Sequence, residues 1–218
     1  MIINYYSYVQ LICTIVAIVN IKSLRKYKLG GFIPLMLVVC GVELFNSNRV
    51  YFGWTTTYFL GNIFLVLSTP LYLYIFYRVF EVQKKVAGIY IVISCLSTLL
   101  ILLNYFFFQG PAMFNTLSMI YEQLLTIVLS VGLLFKIATD EQYIIFKKDP
   151  YFWIASGLLI FSLGTLVLLG MQQYILLNKI TINNKSIYRV LMPVFNIILY
   201  SAYTYAFYLC TKPKKKLY

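Results

Sequence analysis

Two glutamates, Glu43 and Glu122, stand within long apolar segments, where an ionisable side chain is costly and marks a functional site by default. The helical rise places each of them roughly 10 Å from one end of its segment. No lysine or arginine stands at the same depth. We therefore expect both carboxyl groups to face the interior of a helical bundle and to lie within reach of one another or of a shared water.

Amide side chains of other apolar segments are expected at a similar depth, with tyrosines continuing inward from that layer, and together they would line one pocket with the glutamates. In the last segment, Asn196, Tyr200 and Tyr203 follow i, i+4, i+7 spacing, which puts them on one helix face. The predicted ligand-binding residues are Glu43, Asn62, Glu122, Gln172, Gln173, Asn196, Tyr200 and Tyr203. An acidic, aromatic lining favours a cationic or amine-bearing small molecule. The plainer alternative is that these groups only hydrogen-bond between helices and hold the bundle together.

Other chemistry finds little support in the residue types. The chain has no histidine, the commonest general base and metal ligand, and no nucleophile elbow, HExxH, P-loop or GxGxxG motif. Its four cysteines stand at differing depths without paired spacing, as small apolar residues do. We therefore predict no catalytic residue, no metal site and no cofactor, and we favour a protein that is not an enzyme.

The segments that must position these residues are seven in number and fill almost the whole chain. About 20 apolar residues in a helix cross ~30 Å of hydrocarbon. Charged residues are 11% of the chain, against roughly 25% in soluble domains. We predict an all-α membrane protein, a seven-transmembrane-helix bundle over residues 1–211 with a basic tail at 212–218. The predicted spans are Asn4–Ile21, Phe32–Asn48, Tyr58–Tyr77, Val86–Asn104, Asn115–Phe135, Tyr151–Leu176 and Tyr188–Cys210.

The basic residues give the orientation, because they are enriched on the cytoplasmic side. Fourteen of the 18 lysines and arginines fall in one alternate set of loops and the tail. This predicts the N-terminus outside and the C-terminus in the cytoplasm. The net charge of +12 then reflects topology, so we expect no nucleic-acid partner for Lys212–Lys216. Heavy use of Ile, Asn, Lys, Tyr and Phe suggests an AT-rich genome, and we place the protein in a bacterial inner membrane.

Two local patterns support the predicted sixth span. Asp149 and Pro150 are an N-cap and a first-turn proline, and Tyr151-Phe152-Trp153 follow as an interfacial aromatic group. Gly157 and Gly164 stand seven residues apart, which leaves one face bare for the close approach of another helix.

The layout, together with the Asp149-Pro150-Tyr151-Phe152-Trp153 start and the Asn196, Tyr200, Tyr203 face, resembles the seven-helix sensor regions of bacterial histidine-kinase systems. This resemblance covers the whole chain and implies a sensor or receptor-like protein with an outward-facing pocket. We expect no kinase or other output domain after Cys210. Output would then pass to a separate histidine kinase or other cytoplasmic effector, for which the loop Lys136–Asp149 is the predicted docking surface.

Two other functions are open at this point. Small-molecule or ion transporters of seven spans share this orientation, but sugar transporters of that kind carry matched prolines in spans one and five. Here the prolines stand in predicted spans two, three and seven. An intramembrane lipid hydrolase could use Glu43 and Glu122 as acid and base. Known lipid-ether hydrolases rely on paired aspartates within their spans, which this chain lacks.

Overall fold

A computed structural model describes residues 5–54, 56–81, 87–110, 115–139, 146–182 and 185–212. Nearly all of these residues are helical. The α-helices in these ranges are α1 (Tyr5–Val19), α2 (Ile21–Lys26), α3 (Phe32–Ser47), α4 (Tyr58–Val79), α5 (Ala87–Leu103), α6 (Thr116–Thr139), α7 (Pro150–Gly170), α8 (Gln172–Leu177) and α9 (Ile187–Leu209). A π-helical turn, Asn104–Phe108, continues α5, and a 3-10 turn, Phe146–Lys148, precedes α7. Two short strands, β1 (Thr181–Ile182) and β2 (Lys185–Ser186), pair antiparallel before α9.

Five of the described helices are long and apolar enough to cross a membrane: α4, α5 with its π-helical turn, α6, α7 and α9. The prediction of an all-α fold is confirmed, and five of the predicted spans correspond to these helices. The other two correspond to α1 and α3, which are apolar but shorter, at 15 and 16 residues.

The predicted sixth span divides into two helices instead of running to Leu176. The helix α7 ends at Gly170, Met171 forms a turn, and the short α8 begins at Gln172. Glycine lowers helix stability by roughly 1 kcal/mol relative to alanine, and two consecutive glutamines follow it. The break therefore falls where the apolar run gives way to polar residues.

Six helices form a closed ring in the order α1, α3, α4, α6, α7, α9, with α9 packed against α1. The helix α5 lies outside this ring, packed mainly against α4, and Ser97 of α5 is hydrogen-bonded to Tyr121 of α6 at 2.6 Å. An aromatic cluster fills part of the interior: the ring of Phe32 meets those of Tyr203 and Phe207 edge-on, with centroids 4.9 and 5.5 Å away. All three side chains are fully buried.

The helix α1 shows an inverted polarity that recurs around the bundle. Its polar side chains Ser7, Gln10 and Thr14 are buried, whereas Ile12 and Ile15 are more than half exposed. In a water-soluble helix, the polar face lies outside and the apolar stripe faces the core. An apolar exterior around a partly polar interior suits contact with a lipid bilayer, where interhelical hydrogen bonds replace hydrophobic burial.

The two glycines of α7 allow α9 to approach closely, as their spacing predicts. A methyl group added at Gly157 would lie 2.7 Å from the Cβ of Ala202, too close for real atoms. At Gly164, the same addition would overlap the ring of Phe195. The predicted close-packing face is confirmed, and it joins α7 to α9 in antiparallel fashion.

Candidate functional site

The segments that carry most of the basic residues gather at one end of the bundle, here called the basic end. The Nζ of Lys28, before α3, lies 2.6 Å from Oε1 of Glu81, after α4. The hydroxyl of Tyr151, at the start of α7, donates to the carbonyl of Tyr27 at 2.7 Å. Burial raises the pKa of Tyr27, and nearby Cys210 and Asp149 raise it further. These contacts bring together loops that the sequence assigns to one side of the membrane.

Two polar side chains complete helix ends at the basic end. Lys136 of α6 donates to the carbonyls of Val79 and Phe80 at 3.3 and 3.2 Å, at the C-terminus of α4, where a cation offsets the helix dipole. Asp149 Oδ1 accepts from the backbone N–H of Tyr151 at 2.8 Å, so the predicted N-cap of α7 is confirmed.

Glu43 lies at the opposite end, between α1 and α3, and is half-buried. Its Oε1 accepts from the hydroxyls of Tyr6 at 2.8 Å, Ser7 at 3.2 Å and Ser47 at 3.3 Å. Within the described ranges no lysine or arginine forms an ion pair with Glu43. The carboxyl group borders a small cleft of about 10 Å³, here called the Glu43 cleft, which is lined by Ser7, Gln10, Leu11, Cys40, Glu43, Leu44 and Ser47.

Glu122 lies deeper, on α6, and is only 4% exposed. Its Oε1 accepts from the hydroxyls of Ser68 and of Thr69 on α4, the latter at 3.4 Å. Its Oε2 makes no hydrogen bond to any residue that the structure describes. The expected pairing of the two glutamates is not seen among the contacts of the described residues, because Glu43 bonds to α1 and α3 whereas Glu122 bonds to α4.

Tyr200 and Tyr203 of α9 point into the ring interior, as the i, i+4, i+7 face predicts. Tyr200 lies within electrostatic range of Gln10, Cys40 and Tyr72, and Tyr72 lies in turn within range of Glu122. The hydroxyl of Tyr203 is fully buried and approaches that of Tyr72, although it makes no hydrogen bond of normal geometry among the described residues. Polar side chains therefore extend through the interior between the two glutamates, although the carboxyl groups themselves are bonded separately.

The remaining predicted pocket residues make no hydrogen bond to one another in the part of the chain that the structure describes. Asn62 is buried in α4, and its Nδ2 has no partner in the described part of the chain. Asn196 donates to the carbonyl of Met192 in its own helix at 3.0 Å. Gln172 is half-buried at the start of α8, and Gln173 is exposed, because the chain turns at Met171.

Several site residues were not predicted from the sequence. Tyr6, Ser7 and Ser47 hold Glu43, and Ser68 and Thr69 hold Glu122. The signal for the second group was the Ser68-Thr69-Pro70 run, two hydroxyls directly before a proline inside an apolar span. For a metal site the described ranges offer no group of three or more His, Cys, Asp or Glu side chains.

The fold and the site together define a class of protein. It is an all-helical bundle with helices of membrane-crossing length and two separate carboxyl sites, one in a cleft and one in the interior. Comparisons with protein families, with curated proteins and with solved structures find no match to this chain. The resemblance to sensor regions of histidine-kinase systems therefore stays a prediction.

Proposed function

We propose that the chain is an integral protein of a bacterial inner membrane with seven spans, α1 and α3 being the first two. Their length, 15 and 16 residues, corresponds to roughly 22–24 Å, short of the ~30 Å hydrocarbon core. Local thinning of the bilayer and flanking aromatic residues accommodate such a mismatch at modest cost. The support is the closed ring, in which α1 and α3 pack between the long helices α9 and α4, and the apolar exterior of α1.

In this proposal, the N-terminus and the Glu43 cleft face outside and the basic end faces the cytoplasm. Single cysteines at exposed positions test it in a chain whose four native cysteines are replaced by alanine. Cysteine at Tyr51 or Phe108 is expected to react with a membrane-impermeant maleimide in intact spheroplasts. Cysteine at Lys26 is expected to react only after the membrane is permeabilised. Equal labelling of Lys26→Cys and Tyr51→Cys in intact spheroplasts would show that α3 does not cross.

The Glu43 cleft is our proposed ligand site, and the protein is proposed to be a receptor-like sensor for a small cationic molecule. The observation that carries this proposal is a half-buried carboxyl group that borders a cleft and is held by three hydroxyls, with no lysine or arginine of the described residues paired to it. A cleft of about 10 Å³ has room for a group close to the size of one water molecule. That size suits a primary ammonium head, with the rest of the ligand lying outside the cleft.

Purified protein in mild detergent tests the proposed ligand class. Phenethylamine at millimolar concentration is expected to raise the melting temperature, whereas tetramethylammonium, whose head is too large, is not. Glu43→Gln removes the negative charge while keeping a polar group of the same shape, so its stabilisation by the amine should be lost. The matched control is Glu122→Gln, which should respond like the wild type. An equal response of wild type and Glu43→Gln would reject the cleft as the amine site.

The output side of the sensor hypothesis rests on the loop Lys136–Asp149. Residues 140–145 of this loop, and the tail 213–218, lie outside the described residues. A separate histidine kinase or other effector at this loop is therefore a proposal that the resemblance supports. Among the alternatives, a transporter is favoured by the interior carboxyl site at Glu122. The hydrolase has less support, because Glu43 and Glu122 are hydrogen-bonded to different helices.

A further inference from the structure

The hydroxyls of Ser68 and Thr69 donate away from their own helix. Five threonines within the described α-helices donate instead to the carbonyl four residues earlier in the same helix, an arrangement open to Ser and Thr side chains. Those that do so include Thr14, Thr98, Thr139 and Thr204. Ser68 and Thr69 instead turn away from α4 and donate to Glu122 of α6, and both are fully buried. Because each donates its single proton to the carboxyl group, its oxygen lone pairs remain available to a further partner.

The charge at this place sets which cation fits. Within the described ranges Glu122 forms no ion pair with lysine or arginine, and its Oε2 has no hydrogen-bond partner. One carboxylate balances one positive charge, whereas a divalent ion would leave a net charge buried in low dielectric, which is costly. Hydroxyl and carboxylate oxygens are hard ligands that select hard cations over soft transition metals.

We propose that the carboxylate of Glu122 and the hydroxyls of Ser68 and Thr69 bind one alkali cation, Na⁺. The site joins α4 to α6 in the middle of the bundle, while Lys136 joins the same two helices at the basic end. A cation here neutralises a carboxyl group that is only 4% exposed, the smallest exposure of any carboxyl group in the described ranges. This site is separate from the Glu43 cleft, and the two proposals are tested independently of each other.

The melting temperature of the purified full-length protein in NaCl, KCl and choline chloride, at constant ionic strength and pH, tests the proposal. With a dissociation constant near 1 mM, 100 mM Na⁺ is expected to raise the melting temperature by roughly 5–10 °C over choline. Ser68→Ala or Thr69→Ala should lower the apparent Na⁺ affinity by about tenfold or more. Glu122→Gln should abolish the response.

Two controls separate the site from general effects of salt and of lost hydroxyls. Glu43→Gln keeps the Na⁺ response, because that carboxyl group lies elsewhere, and so does Thr98→Ala, whose hydroxyl bonds within α5. No Na⁺-specific shift in the wild type would overturn the proposal, as would an undiminished shift in both Ser68→Ala and Thr69→Ala. A melting temperature that follows pH but not Na⁺ would also overturn it, since it would make Glu122 a proton site.

Discussion

Replacing Tyr203 with alanine is expected to destabilise the bundle by about 2 kcal/mol or more. The side chain is fully buried and packs edge-on against Phe32, 4.9 Å between ring centroids. Its removal leaves a cavity of roughly 100 Å³, and cavities cost about 24 cal/mol per Å³ when neighbours cannot collapse into them. Thermal unfolding in detergent should show the melting temperature falling by roughly 5–10 °C.

Tyr203→Phe is the matched control for this change. The Tyr203 hydroxyl approaches that of Tyr72 without a hydrogen bond of normal geometry, so its loss removes no more than a weak contact. The phenylalanine variant is therefore expected to unfold within about 0.5 kcal/mol of the wild type, or to be more stable. If phenylalanine is as damaging as alanine, the hydroxyl and not the ring carries the stability, and the packing explanation is wrong.

The double variant Ser68→Ala, Thr69→Val should also lower the free energy of unfolding strongly, because it removes both hydrogen-bond donors from Glu122. Neutral interhelical hydrogen bonds in membranes average about 0.6 kcal/mol, so two ordinary bonds would account for little more than 1 kcal/mol. A buried charged acceptor left without donors costs about 2–3 kcal/mol or more. We expect the double variant to lose about 2–3 kcal/mol of unfolding free energy in Na⁺-free buffer, the cost of an acceptor without donors.

A third substitution distinguishes the loss of two ordinary hydrogen bonds from the cost of a buried acceptor without donors. Adding Glu122→Leu to the double variant removes the stranded acceptor together with its donors, which is often neutral or stabilising. The triple variant should therefore recover most of the lost stability, and together with the single variant Glu122→Leu it completes a cycle that gives the coupling energy. If the triple variant is no more stable than the double, the hydroxyls stabilise α4 by packing and the carboxyl group is incidental.

Hydropathy and capping residues predict much of this fold. The predicted second span, Phe32–Asn48, differs from α3 by one residue, and the Asp149-Pro150 pair begins α7 where it should. Both signals are local, since a run of apolar residues and a side chain that accepts a backbone N–H need no knowledge of neighbouring helices.

The partners of the glutamates could not be predicted, because depth along a helix does not give rotation about its axis. Glu43 and Glu122 were placed at similar depth by counting residues, yet one bonds to α1 and the other to α4. In a soluble helix the polar face would reveal the rotation. Here exposed residues such as Ile12 are as apolar as buried ones such as Leu24, so hydropathy alone does not distinguish them.

Residue counting also fails wherever a helix stops early. The predicted depth of Gln172 and Gln173 assumed one helix from Tyr151 to Leu176, whereas α7 ends at Gly170. Both glutamines then lie beyond the turn, and Gln173 is exposed. Gly170, near the end of a long apolar run, was the sequence feature that could have indicated the break. Glycine alone does not predict one, because Gly164 lies within the same helix without breaking it.

The position of α5 outside the ring follows from chain connectivity. The helices α4 and α6 run parallel, since Ser68 meets Glu122 near the middle and Val79 meets Lys136 at the basic end. Two consecutive antiparallel helices can be joined by a short loop, but two parallel neighbours require the chain to return the full length of the bundle between them. The helix α5 carries the chain back along the bundle, as a crossover helix does between parallel β-strands. Its structural role is to set the orientation of α6 relative to α4, and a connecting helix can do this with little of its own surface buried.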